Sequence, residues 1–160
     1  MSPRTVLTLV RHGQTAANVE RVWHGSIDTP LSEVGRAQAR RVGDYVAATH
    51  ADAVALYASP LSRAHETAEA IGGFLSLPVC VEPALAEFGL GEWEGRSYSA
   101  LHGEERMWHH MQQDPDFTPP GGESPRDVAT RVMGALHRIA ALHPGSRVVV
   151  VSHGGALTLG

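Results

Sequence analysis

Cysteine is almost missing from this chain. Cys80 is the only one in 160 residues, so neither an internal disulfide nor a zinc–thiolate cluster can form. In its setting, Pro78-Val79-Cys80-Val81, it reads as a small buried apolar side chain. Also missing is any apolar run of membrane-spanning length. The first apolar stretch is too short for a secretory signal and no small-residue cleavage site follows it, so the cytoplasm is the expected location. Positive charge is not in excess: thirteen basic residues face seventeen acidic ones, a net −4. That balance speaks against nucleic acid or an anionic membrane surface as the main partner. An anionic small molecule would therefore need a local positive pocket.

Several catalytic signatures are absent as well. No G-x-S-x-G elbow is present, which speaks against a serine hydrolase. His65-Glu66-Thr67-Ala68-Glu69 lacks the second histidine of the helical zinc motif. Gly89-Leu90-Gly91-Glu92-Trp93-Glu94-Gly95 approaches a dinucleotide loop, but its last glycine comes one place late and its acids would repel a pyrophosphate.

What remains fits one domain, residues 1–160, long enough to bury a core. Thr5 to Val10, all β-branched or leucine, predicts a short buried strand. Ser32 caps a helix to about Ala48, with Ala37, Val42, Tyr45 and Val46 in partial register. Ala53 to Ala58 is a second strand, followed by a helix through Phe74 with Ala64, Thr67, Ala68 and Ile71 on one face. Val79 to Val81 is a third, weaker strand. An aromatic-rich insert at about 88–123 holds Trp93, Tyr98, Trp108, His109 and His110. Ser124, Pro125 and Asp127 then start a long amphipathic helix marked by Val128, Val132, Ala135, Leu136, Ile139 and Leu142. Arg147 to Val151 is the most strand-like run. This alternation predicts an α/β fold: a mostly parallel central sheet with helices on both faces.

Each strong strand ends in a polar cluster: Arg11-His12-Gly13, then Ser59 through Arg63, then Ser152-His153-Gly154-Gly155. Parallel strands bring such ends to one edge of the sheet, where ligands bind in open α/β folds. Arg11 offers a fixed fork of donors matched to phosphate or carboxylate, and Gly13 allows a tight turn and close approach of backbone to ligand. Two arginines and two histidines could thus converge. The other eight of the ten histidines read mostly as surface or packing residues.

These motifs resemble the histidine phosphatase superfamily, which includes cofactor-dependent phosphoglycerate mutases. The matching pieces are R-H-G-Q-T-A-A-N from Arg11, D-T-P-L-S-E-V-G-R-A-Q-A from Asp28 and S-P-L-S-R-A-H-E-T-A from Ser59. L-A-E-F-G-L-G-E-W-E-G from Leu85, G-G-E-S from Gly121 and S-H-G-G from Ser152 continue in family order. The resemblance implies a phosphoglycerate mutase-like three-layer architecture. It implies His12 as a nucleophile that takes a phosphoryl group on nitrogen, with Arg11, Arg63 and His153 holding phosphate oxygens and Asn18 a further polar contact. Glu87 would be the proton donor, although Glu82, Glu92 and Glu94 are acids nearby. Gln14, Thr15 and Gly25 fit substrate contact or loop packing equally. No metal and no cofactor are expected, since the arginines supply positive charge.

Three functional classes follow. The favoured one is a phosphomonoesterase acting on a small phosphorylated metabolite, since the insert is short and G-G-E-S looks like the phosphatase branch. The others are a phosphoglycerate mutase and a non-catalytic phospho-ligand binding module. A homodimer is the assembly anticipated. The resemblance also implies a longer helix after Ser152-His153-Gly154-Gly155 than the stretch to Gly160 provides, so an end cut short is expected.

Overall fold

The computed structural model describes residues 3–160. Among them lie four strands, β1 (Val6–Arg11), β2 (Ala53–Ala58), β3 (Val79–Val81) and β4 (Arg147–Ser152), in the order β1-β4-β2-β3. Every pairing is parallel. The helices are α1 (Ala16–Glu20), α2 (Glu33–Thr49), α3 (Ser62–Leu75), α4 (Tyr98–Gly103), α5 (Met107–Gln113), α6 (Pro125–Leu142) and α7 (Gly154–Leu159). No helix of the described residues is long and apolar enough to cross a membrane.

The last strand in sequence is the middle of the sheet. Alternation along β4 serves both layers: Val148 and Val150 pack with Val128, Val132 and Ile139 of α6, while Val149 and Val151 pack with Ala64, Ala68 and Ile71 of α3 and Val46 of α2. The expected three layers, helices on both faces of a parallel sheet, are present. Ser32 and Ser124 cap α2 and α6 as the sequence indicates, and Ser124 forms a full capping box with Asp127.

Four local expectations need correction. The first strand is not buried: β1 pairs only with β4 and lies at an edge, leaving Val6 and Leu9 exposed. Cys80 is exposed, because β3 is a three-residue edge strand and this residue points away from the face on which Val79 joins the core. On α2, Tyr45 is 62% exposed, and the buried stripe is instead Gly35, Ala39, Gly43 and Val46. Small residues win there because α2 lies close to its neighbours: a Cβ on Gly43 would stand 2.6 Å from Cδ2 of Phe74 and 3.0 Å from the Ala70 carbonyl oxygen. Leu142, 69% exposed, falls in the last turn of α6, beyond the core that Ile139 reaches.

Candidate active site

Three strand ends meet at the carboxyl edge of the sheet. The parallel ladder runs past the strands themselves: the His12 amide donates to the Ser152 carbonyl (3.1 Å), and the Ser59 amide to that of Val151 (3.0 Å). His12 and His153 are thereby held with ring centroids 5.1 Å apart and planes tilted by 59°. His12 lines a cavity of about 350 Å³ together with Arg11, Asn18, Arg63 and Glu87. The peptide after His12 is pinned from α3, where Thr67 Oγ1 accepts from the Gly13 amide (3.2 Å).

Proton positions on the two rings follow from their partners. His12 Nδ1 lies 2.6 Å from the Gly13 carbonyl oxygen. A carbonyl only accepts, so Nδ1 carries the hydrogen and Nε2 keeps its lone pair. Burial, aided by the charges of Arg63 and Arg11 and opposed by the Gly13 hydrogen bond, lowers the His12 pKa to about 4. His153 is wholly buried. Its Nε2 lies 2.7 Å from Ser59 Oγ, an oxygen that also accepts from the Leu61 amide. Burial first, then Arg63 and His12, pushes the His153 pKa down to about 2. The His153 Nδ1 is buried and has no hydrogen-bond partner among the described residues. Such a group is costly unless a ligand satisfies it.

Arg63, in the first turn of α3, is only 4% exposed. Its two terminal nitrogens donate to the carbonyls of Ile27 (2.9 Å) and Gly25 (2.7 Å), and among the described residues no carboxylate pairs with it directly. Burial pulls its pKa below the usual arginine value. A buried cation held only by carbonyls is a site prepared for an anion. The loop supplying those carbonyls is set by Asp28, whose Oδ1 accepts from the Ser62 amide and hydroxyl at the start of α3 (both 2.7 Å). Gly25 turns there with φ +53°, and a Cβ would meet Glu94 Oε1 at 2.6 Å. Arg11 spreads its guanidinium over Gly154, where a Cβ would stand 3.3 Å from Cζ.

Glu87 completes the ring from a different part of the chain. Its Oε1 accepts from the amides of Phe88 (3.0 Å) and Ala156 (2.7 Å), and its Oε2 from that of Gly155 (3.1 Å). Burial raises its pKa against those hydrogen bonds and the charge of Arg63. Of the four candidate acids, only Glu87 lines the cavity. Glu94 is tied to Ser26 and the Leu90 amide, Glu82 caps Ala84 and faces Arg138, and Glu92 lies outside.

One contributor escaped the sequence reading. Arg131 donates to the carbonyls of Ala84 and Ala86 (both 2.8 Å) and Glu87 (3.3 Å) and pairs with Glu123. Glu123 in turn accepts from the Gly89 amide at 2.8 Å. Together they clamp the loop bearing Glu87 from both sides. The local signal was a charge inside an apolar stripe: position 131 is three after Val128 and four before Ala135, on the buried face of α6.

Other expected contacts separate. Asn18 lines the cavity, with Oδ1 occupied by Thr15 in the capping box of α1 and its amide nitrogen left over. Thr15 and Gly25 also line it. Gln14 faces a neighbouring groove, and its side chain accepts from Ser32. In the insert, Trp108 borders the cavity, whereas Trp93, His109 and His110 do not; Trp93 and His110 pack on Phe117.

Comparison with known proteins matches residues 7–159 to the model of the histidine phosphatase superfamily (branch 1). A probable phosphoglycerate mutase from Cronobacter sakazakii is 40% identical over 154 residues, covering 93% of this chain and 69% of that one. A bifunctional protein of Mycobacterium tuberculosis is 39% identical over 150 residues; the match covers 93% of this chain but spans only 41% of that longer protein. Among solved structures, a mycobacterial glucosyl-3-phosphoglycerate phosphatase in complex with VO3 superposes with a TM-score of 0.87 at 32% identity, covering 96% of this chain and 77% of that one.

Proposed function

The chain belongs to the histidine phosphatase superfamily, branch 1, and from that premise we propose that it is a metal-independent phosphomonoesterase, hydrolysing a small phosphorylated metabolite through a phosphohistidine. The observation that carries this reading is the pair of neutral imidazoles between two guanidiniums: one ring with a free lone pair, the other with a buried, unpartnered Nδ1. His12 Nε2 attacks phosphorus as the ester P–O bond breaks. Its Nδ1–H, bonded to the Gly13 carbonyl, steadies the positive charge that the ring acquires. Arg11, Arg63, His153 Nδ1–H and the Asn18 amide donate to the equatorial oxygens, where charge develops in the transition state.

The departing alkoxide needs a proton, and Glu87, held toward its neutral form by burial, gives it. Water then attacks the phosphohistidine and returns a proton to Glu87, releasing inorganic phosphate and restoring His12. Positive charge comes from the arginines throughout. The resemblance to a probable phosphoglycerate mutase supports a second reading, in which the phosphoryl group returns to an acceptor hydroxyl and not to water. Release of inorganic phosphate separates the two.

The test is rapid acid-free quenching of the enzyme with a phosphate ester, followed by mass measurement of the protein. A phosphoryl adduct that is acid-labile and base-stable is expected, lost together with phosphate release in His12→Ala. Equal phosphate release by parent and variant would overturn the assignment.

A further inference from the structure

Away from the phosphate end, the cavity changes character. Its outer wall is made by Trp23, Tyr98 and Trp108, with Val22 and Ala17 beside them. Trp23 is the hub: its ring centroid lies 5.4 Å from that of Tyr98, 5.5 Å from Trp108 and 5.5 Å from Phe88. Two stretches far apart in sequence build this wall, and backbone hydrogen bonds join them. The Trp23 amide donates to the Arg96 carbonyl (3.0 Å), the Gly95 amide to Trp23 (2.8 Å) and the Tyr98 amide to Arg21 (2.9 Å). The aromatic faces are therefore fixed before any ligand arrives.

Charge is confined to the other end. The arginines lining the cavity are Arg11 and Arg63, both beside the histidines. Arg96, two residues before Tyr98, is committed to Glu104 and Glu105, and neither Arg21 nor Arg106 lines the cavity. A second anionic group on the substrate would thus meet rings and the His24 imidazole, whose Nδ1 is taken by Thr29 Oγ1, and no arginine.

The geometry points to a ring-binding subsite for the leaving group: Trp23, Tyr98 and Trp108 select monoesters whose alcohol is uncharged and presents a flat apolar face, an aryl ring or the face of a sugar, over esters with a second anionic group such as a phosphoglycerate. This rests on the phosphomonoesterase reading and specifies its substrate class. Stacking on a preformed aromatic face discriminates without a charged contact.

The experiment compares kcat/KM of the intact chain on benzyl phosphate, glucose 6-phosphate, glycerol 3-phosphate and 3-phosphoglycerate. Benzyl phosphate is expected to lead glycerol phosphate by about tenfold, roughly the worth of one stacked ring, with 3-phosphoglycerate last. The glucose ester reports whether a sugar face is taken as an aryl ring is. In Trp108→Ala the benzyl-to-glycerol ratio falls about tenfold, mainly through KM, and Trp108→Phe restores most of it. Binding of benzylphosphonate against methylphosphonate, read by tryptophan fluorescence of the unaltered protein, gives the same preference without a variant. Hydrolysis of 3-phosphoglycerate as fast as benzyl phosphate, or an unchanged ratio in Trp108→Ala, overturns the subsite. Failure of the phosphatase reading looks different: no ester is turned over and no phosphoenzyme forms.

Discussion

At the scale of single residues, the catalytic proposal divides labour between an imidazole kept neutral and a carboxyl kept protonated. With the His12 pKa near 4, nucleophilic activity is present above that value and falls away as pH drops through it. Glu87 acts in its acid form, so its raised pKa sets the opposite limb, with activity falling as pH rises through it. The profile of kcat/KM should be a bell, its acid limb near pH 4 set by His12 and its alkaline limb set by Glu87 and removed in Glu87→Gln. In kcat/KM, which reports the first step alone, that variant should lose about 10²–10⁴-fold on alkyl phosphates but little on p-nitrophenyl phosphate, whose leaving group departs without a proton. An equal loss on both esters would show that Glu87 is not the acid. The positions of Arg11, His12, Arg63 and His153 were legible because each follows a strong strand or opens the next helix. Arg131 was not, because its partners Ala84, Ala86 and Glu87 lie more than forty residues upstream and only the fold brings them near.

At the scale of elements, α7 and the loop after β3 form one unit. The amides of Gly155 and Ala156 hold the Glu87 carboxylate, and Ser152 Oγ donates to the Leu85 carbonyl at 2.7 Å. Gly155 is required by contact: a Cβ would overlap the Phe88 ring and stand 2.7 Å from Glu87 Oε1. Gly155→Ala should destabilise the fold by about 1–3 kcal/mol, the usual cost of overpacking. It should also depress alkyl phosphate hydrolysis more than p-nitrophenyl phosphate hydrolysis, because the acid is displaced. Denaturant titration and the two rates check this together; unchanged stability would mean that the loop yields freely. Helix starts were readable from Ser32 and Ser124, whose capping is a local event. The buried face of α2 was not. Hydrophobicity pointed to Tyr45, whereas the Gln14 backbone selects Gly35 and α3 selects Gly43, a choice made by the neighbours and invisible in α2 alone.

At the scale of the whole molecule, burying two neutral imidazoles links folding to pH. Both folded pKa values, about 4 for His12 and about 2 for His153, lie below the ordinary 6.5. The unfolded chain therefore binds more protons below pH 6.5, and the folded state loses stability as pH falls from there toward 4. The melting temperature should drop between pH 7.5 and pH 5, and the drop should shrink in His153→Gln; an identical slope in both would remove the linkage. The α/β class and the layering were legible from the alternation of strands and helices, since a parallel sheet demands crossovers. Strand order was not. Thr5–Val10 and Arg147–Val151 are both apolar, and only pairing decides that β4 takes the centre and β1 the rim.

That rim position has a consequence for the proposed nucleophile. His12 is delivered by a strand with one hydrogen-bonded flank, whereas His153 is delivered by a strand with two. Brief fraying of β1 from β4 would disarm the enzyme while the rest of the sheet stays whole. Amide exchange along Val6–Arg11 should then outpace exchange along Arg147–Ser152, and a molecule that is still folded can be, for that moment, unable to react.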